Sequence, residues 1–200
     1  DVKVSPSPVD FAVWRTDSHW QITDKYLPVE KEYTELYGKS RYFTRYKHDI
    51  VFHSFQYDGF FTFSRKEDPV FHPILFSRPF PRDNESRLKE ANSGQWQLLA
   101  ETPFVVDGYN IVEISIAGQG QQMFAVNASN KIFGNSEVCP KNIPINIIGT
   151  MGNHFVGYIN DNYELYRNLV AYGFQKGSPE AEDILSRGGC CLIIYSVGNL

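Results

Sequence analysis

The residues able to do chemistry are few and mostly scattered. His48 and His53 stand five apart on or beside a strand, where they face opposite ways, and His19, His72 and His154 lie far from one another. A metal centre needs several ligands converging at a recurring spacing, so these read as structural histidines and no metal or other cofactor is expected. A thiol nucleophile would combine Cys139 with His154 and Asp161. However, Cys139-Pro140 sits in no helix N-terminus or elbow that would lower a thiol pKa. The glycine loops Gly118-Gln119-Gly120 and Gly149-Thr150-Met151-Gly152-Asn153 lack the helix and the Lys or Ser/Thr of a phosphate cradle, and read as strand connections. Catalytic residues are therefore expected to be absent.

Binding chemistry has more material. Arg41-Tyr42-Phe43-Thr44-Arg45-Tyr46-Lys47 interleaves basic and aromatic residues, as single-strand nucleic-acid binders do. At period two it is also an ordinary half-exposed strand with Arg41, Phe43, Arg45 and Lys47 on one face. A formal net charge of −4 disfavours a phosphate-neutralising surface, so no nucleic-acid partner is expected. Sugars are bound by aromatic faces stacked on ring C–H groups, with planar polar side chains on the hydroxyls. Three Trp and twelve Tyr, with Asn, Asp, Gln and Arg in loops, suit that chemistry. Trp14, Trp20 and Trp96 fall in strands, where at least two should be core. The segment Ser77–Gly94 has little periodicity, two prolines and many charges. A long loop of that kind is commonly functional, so Arg82, Asn84 and Arg87 are the candidate ligand-binding residues.

The elements that position these residues are β-strands. Asp58-Gly59 and Asp107-Gly108 each lie between aromatic and β-branched runs, the filling preferred by type I′ hairpin loops. The first loop pairs Tyr57 with Phe60, Phe55 with Thr62 and His53 with Ser64. The resulting ribbon carries aromatics on both faces and should be covered on both. The second pairs Val106 with Tyr109 and turns Asn110, Val112, Ile114 and Ile116 to the core, with Glu113 marking the wet side. Further strands are expected at Asp10–Trp14, Trp20–Thr23, Arg41–Tyr46, Gln95–Ala100, Gln121–Val126, Ile143–Ile148 and Cys190–Val197, the last apolar on both faces and therefore central. Ser178, Pro179, the acidic first turn and Gly188 predict one short helix over 179–187. The stretch Asp161–Tyr172 fits a capped helix or a hairpin, with strand favoured by its β surroundings. The fold class is all-β: an antiparallel sandwich or barrel of roughly ten short strands.

Composition bounds the rest. The 200 residues, 42% hydrophobic and 15% aromatic, suit one globular domain over 9–200 behind a linker-like segment at 1–8. No apolar run approaches a membrane helix, so membrane insertion is not expected. Three cysteines cannot all pair, and adjacent Cys190 and Cys191 point to opposite faces of a strand, so Cys139, Cys190 and Cys191 read as buried thiols. Asn84-Glu85-Ser86 and Asn127-Ala128-Ser129 match the glycosylation sequon, which matters only in a secreted chain. Both ends read as those of a domain excised or processed from a longer polypeptide.

With Ser5-Pro6-Ser7-Pro8 at its start, dense aromatic strands and unpaired cysteines, the chain resembles the projection or spike domain of a non-enveloped virus capsid protein, most of all an astrovirus spike. The resemblance implies a homodimer on the virion surface, attachment to a host-cell receptor or glycan, antibody recognition and no catalysis. Two other classes are expected alternatives. One is a structural or protein-interaction domain that oligomerises. The other is a β-scaffold hydrolase, which would show a deep pocket converging on His154, Cys139 or paired carboxylates. Outside the viral setting the expected location is secreted.

Overall fold

The computed structural model describes residues 10–29, 39, 41–65, 67–90, 95–106, 108–127, 129, 131–133, 146–173 and 176–195. These residues are predominantly β, with strands paired antiparallel in four sheets and three short helices between them. β1 (Phe11–Thr16) and β2 (Ile22–Pro28) form a hairpin. β3 (Phe43–Tyr46), β4 (Asp49–Phe52), β5 (Gly59–Phe63) and β6 (Val70–Pro73) form a four-stranded sheet in chain order. β7 (Gln97–Leu99), β8 (Phe104–Val106), β9 (Tyr109–Ile116), β10 (Gly120–Asn127) and β11 (Ile132–Phe133) form a five-stranded sheet. β12 (Asn146–Met151), β13 (His154–Asn160) and β14 (Cys190–Tyr195) make the last sheet. The helices are α1 (Asn84–Glu90), α2 (Tyr163–Ala171) and α3 (Pro179–Ser186).

Period-two alternation stacks these sheets. From the four-stranded sheet, Val51 and Phe60 meet Leu99, Val112 and Ile114 of the five-stranded sheet. Phe52, Phe61 and Phe63 turn the other way and meet Ala12, Val13, Tyr26 and Leu27 of the β1–β2 hairpin. The aromatic ribbon is thus covered on both faces, as its sequence requires. Beyond β9, Ile111 joins Phe104, Ala125 and Phe155 against the β12–β14 sheet. That sheet buries Ile159 and Ile193 beneath Leu165, Tyr166 and Leu169 of α2 and Leu185 of α3.

The two hairpins turned out differently. β8 and β9 keep the expected register, Val106 opposite Tyr109, with Gly108 at φ +85°; Asp107 lies outside the described residues. In the other, Phe52 pairs with Phe61, so residues 53–58 all belong to the connection and Asp58-Gly59 is not a two-residue loop. The cause is His53, which is buried with its ring nitrogens 2.8 and 2.9 Å from the carbonyls of Gly59 and Leu99. That placement pulls the chain off the ladder one residue after Phe52. Burial first, and the Lys39 ammonium second, push its pKa down to about 3, outweighing the two carbonyls. The unfolded ring titrates near 6.5, so below that pH the unfolded chain binds a proton that the folded chain refuses. Stability is therefore complete above about pH 6.5 and is lost as pH falls towards 3, by about 2 kcal/mol at pH 5. His72, also lowered by burial, adds to the loss with the same sign. Urea denaturation at neutral pH and at about pH 5 checks this, with His53→Asn expected to flatten the slope. Stability that held or rose on acidification would mean an imidazolium donating to both carbonyls.

Other expectations are corrected. Glu113 does not mark a wet face: Ile111 beside it is 3% exposed, and Glu113 is half-buried because Arg41 pairs with it. Among the described residues β14 is an edge strand paired only with β13, and Leu192 and Ile194 on its open face are 70% and 53% exposed. Cys190 is exposed rather than buried and Cys191 is half-buried, both free; Cys139 lies outside the described residues. Asp161–Tyr172 is helical, not a strand. Asn162 accepts the Leu165 amide at 2.9 Å and the apolar stripe of α2 covers β13, so the cap and the 3.6 periodicity prevail over the β surroundings. Ser77–Gly94 is not simply a loop: Asp83 accepts the Ser86 amide at 2.8 Å and α1 follows. The 179–187 helix is present as α3, with Ser178 accepting from Ala181 and Pro179 in the first turn. The linker-like residues 1–8 lie outside the described residues.

Candidate ligand cleft

Two of the three tryptophans are exposed, not core: Trp14 at 48% and Trp20 at 84%. Both belong to the β1–β2 hairpin, Trp14 in β1 and Trp20 in the turn. The turn that carries Trp20 is tightly fastened. Asp17 Oδ1 accepts the amides of His19 and Gln21 at 2.8 and 3.0 Å, and Trp20 itself takes a left-handed φ of +62°. The hairpin also covers only part of the aromatic face beneath it. Phe52, Phe61 and Phe63 are buried, while Phe43 and Ile50, on the same face nearer the β3 edge, remain 51% and 43% exposed. Between hairpin and sheet lies a cleft of about 1020 Å³, lined among others by Trp14, Arg15, Phe43, Arg45, His48 and Ile50.

Its polar groups are fixed to different degrees. Arg15 lies across the Tyr26 ring at 5.1 Å, reaches Asp24 at 3.4 Å and donates to the Ser64 carbonyl at 3.1 Å. Arg45 is exposed and anchored through Nε to the Lys47 carbonyl at 2.9 Å. Arg65 is exposed on the far lip. The arrangement offers aromatic faces and forked donors, and Ser18, also in its lining, stands 3.4 Å from His19 Nδ1.

A second cavity of about 650 Å³ lies on the other side of β3, where Phe43 and Arg45 line both spaces. Its wall is largely committed to holding the fold. Arg41 pairs with Glu113 at 3.0 Å, donates to the Thr102 carbonyl at 2.9 Å and lies 4.0 Å over Phe104. Thr150 donates to the Arg45 carbonyl at 3.1 Å, tying β12 to the open edge of β3. A third cavity, about 640 Å³ and more apolar, opens between the chain after β6 and the face of β9 and β10.

The residues favoured from sequence do not gather in any of these cavities. Arg82 is exposed but paired with Asp58 at 2.9 Å. Asn84 opens α1. Arg87 is 1% exposed, with its guanidinium 5.6 Å above the Phe80 ring, and stands inside the fold where no surface ligand reaches it. The proline-rich, charged segment earned its polar residues as tethers for α1, a purpose that composition does not distinguish from binding. The residues that do line the cleft, Phe43 and Arg45, belong to the basic–aromatic alternation read as a half-exposed strand, and that is how β3 stands. Trp14 carried no signal separating it from a core strand residue.

The catalytic combination does not assemble either. His154 begins β13 and Asp161 follows its end, about 20 Å apart along an extended strand. His48 is exposed and His53 buried, and among the described residues no group of three potential metal ligands occurs. Both glycine loops join strands, β9 to β10 and β12 to β13. Among the described residues no helix is long and apolar enough to cross a membrane.

No protein-family model and no curated protein matches the sequence. Among solved structures, a presumed exported protein from Bacteroides fragilis NCTC 9343 shares the fold at a TM-score of 0.62 and 12% identity. The match covers 98% of this chain and 59% of that one, so the chain spans well under two thirds of its neighbour's length. What the chain shares with that neighbour is the layered β architecture.

Proposed function

We propose that this is a non-catalytic binding domain that takes a saccharide in the cleft between the β1–β2 hairpin and the four-stranded sheet. The observation that carries the reading is Trp14, 48% exposed and one of the residues lining a cleft that Phe43, Arg15 and Arg45 also line. Isolated exposed apolar residues are unremarkable on a surface, but a Trp, a Phe and an Ile lining one roomy cleft with forked donors match what a sugar ring needs. Attachment to a glycan-bearing surface follows as the role. The name of the fold neighbour suggests an exported setting, and that neighbour is bacterial, so the proposal keeps attachment and leaves out a capsid origin.

Trp14→Ala is expected to weaken saccharide binding about 30-fold, the loss typical of an aromatic anchor removed from a binding site. Its melting temperature should stay close to that of the wild type, because the ring covers little core. Titration calorimetry on the best glycan from an array checks both. Unchanged affinity in the variant would remove the cleft from the proposal.

One observation favours oligomerisation as a second reading. Among the described residues β14 has no partner on its outer edge, and Leu192 and Ile194 are exposed on the sheet face that does not meet the helices. A second copy would cover both, giving a dimer by light scattering that Leu192→Lys converts to monomer. A wild-type monomer at high concentration rules this reading out.

A further inference from the structure

The cleft's charge goes beyond the saccharide reading, on which this inference rests. Four charged side chains line it: Arg15, Arg45, Arg65 and Asp17. In a chain of net charge −4, this cleft is therefore locally cationic. Two of these charges are satisfied within the fold. Arg15 is held by Asp24, and Asp17 Oδ1 takes the two amides of the hairpin turn. Arg45 and Arg65 form no ion pair among the described residues, and both are exposed. Arg45 is also anchored at one point, its Nε–H donating to the Lys47 carbonyl at 2.9 Å. His48, on the same surface, adds an imidazole that donates to an anion or a hydroxyl.

A guanidinium that is held but not neutralised is suited to a planar or tetrahedral oxyanion, which it meets with two parallel N–H donors. Neutral sugar hydroxyls make no such demand. We infer that the ligand is an acidic saccharide, with its carboxylates or sulfates paired to Arg45 and Arg65 and an adjacent ring stacked on Trp14. The carboxylate and the sulfate ester share this chemistry, and the experiment separates them.

The test uses three oligosaccharides of equal length: a uronic-acid tetrasaccharide, a sulfated heparin-derived tetrasaccharide and neutral cellotetraose. Each is titrated calorimetrically into the wild type, the Arg45→Gln/Arg65→Gln variant and Trp14→Ala. At least one acidic probe is expected to bind about tenfold or more tightly than cellotetraose, and the double variant should lose that advantage while keeping the wild-type melting temperature. The preferred acidic probe identifies which anion the cleft takes. Equal affinity for acidic and neutral probes overturns the inference and leaves the saccharide reading standing. Acidic binding that survives Arg45→Gln/Arg65→Gln also overturns it. Acidic binding lost in the Arg variant but indifferent to Trp14→Ala means a general polyanion surface, and overturns both readings. So does no binding of any probe.

Discussion

Gly59→Ala is expected to destabilise the protein by about 4 kcal/mol, the largest effect of a single methyl group in this chain. Two independent strains coincide there. Gly59 opens β5 at φ +152°, a conformation that L side chains rarely adopt. An added Cβ would lie 2.2 Å from the His72 carbonyl oxygen and 2.8 Å from the Phe71 ring. Both belong to β6, the strand paired with β5, so relief requires moving a ladder rather than a flexible side-chain end. The Gly59 carbonyl is moreover one of the two that face the His53 ring. Displacing it disturbs the buried histidine that shapes the whole 53–58 connection. Gly108→Ala supplies the contrast: its φ is +85°, yet nothing lies within 4 Å of the added atom. That variant should lose only about 1–2 kcal/mol, from backbone strain alone. Urea denaturation of the two variants checks the difference. A loss at Gly59 no larger than at Gly108 would mean that β6 yields easily.

Arg41→Ala should cost about 3 kcal/mol, the second-largest effect. The side chains of Arg41 and Glu113 are only 16% and 20% exposed, so removing the cation leaves a carboxylate that is largely desolvated and unpaired. The Thr102 carbonyl loses its donor, and the guanidinium stacked 4.0 Å over Phe104 disappears. The Arg41 backbone amide, bonded to Glu101 Oε2 at 2.9 Å, survives the substitution. Glu113→Gln retains an acceptor and should cost less, about 1 kcal/mol. A double-mutant cycle on the pair isolates the coupling, expected at about 1–2 kcal/mol. An Arg41→Ala loss within about 0.5 kcal/mol would place the pair among surface ion pairs of little worth.

These two sites show where sequence reading succeeds and where it stops. Asp107-Gly108 gave a correct register because a tight hairpin is decided by two residues and their allowed φ. Asp58-Gly59 looks the same locally, but His53 finds carbonyl partners on Gly59 and on Leu99, the latter forty-six residues away, and the loop is rebuilt around it. α3 was legible because Ser178, Pro179 and the acidic turn all act within the helix itself. β14 was not, since an apolar strand is equally compatible with a centre or an edge until its neighbours are known. The cleft was half legible. The alternation at Arg41–Lys47 correctly placed Phe43 and Arg45 on one exposed face. Exposure of Trp14 depends on what packs against the hairpin, a tertiary fact with no local signature. Arg87 failed for the opposite reason. Charge suggests a surface, yet this guanidinium is buried over Phe80.

On the proposed reading, the open aromatic face between the hairpin and the four-stranded sheet receives a sugar. The most direct measurement is a glycan-array screen of the wild type beside a Trp14→Ala/Phe43→Ala variant, both shown by circular dichroism to be folded. The wild type is expected to retain a narrow set of acidic glycans and the variant to lose them. An array on which the folded wild type retains nothing, or on which both proteins retain the same glycans, would contradict that reading.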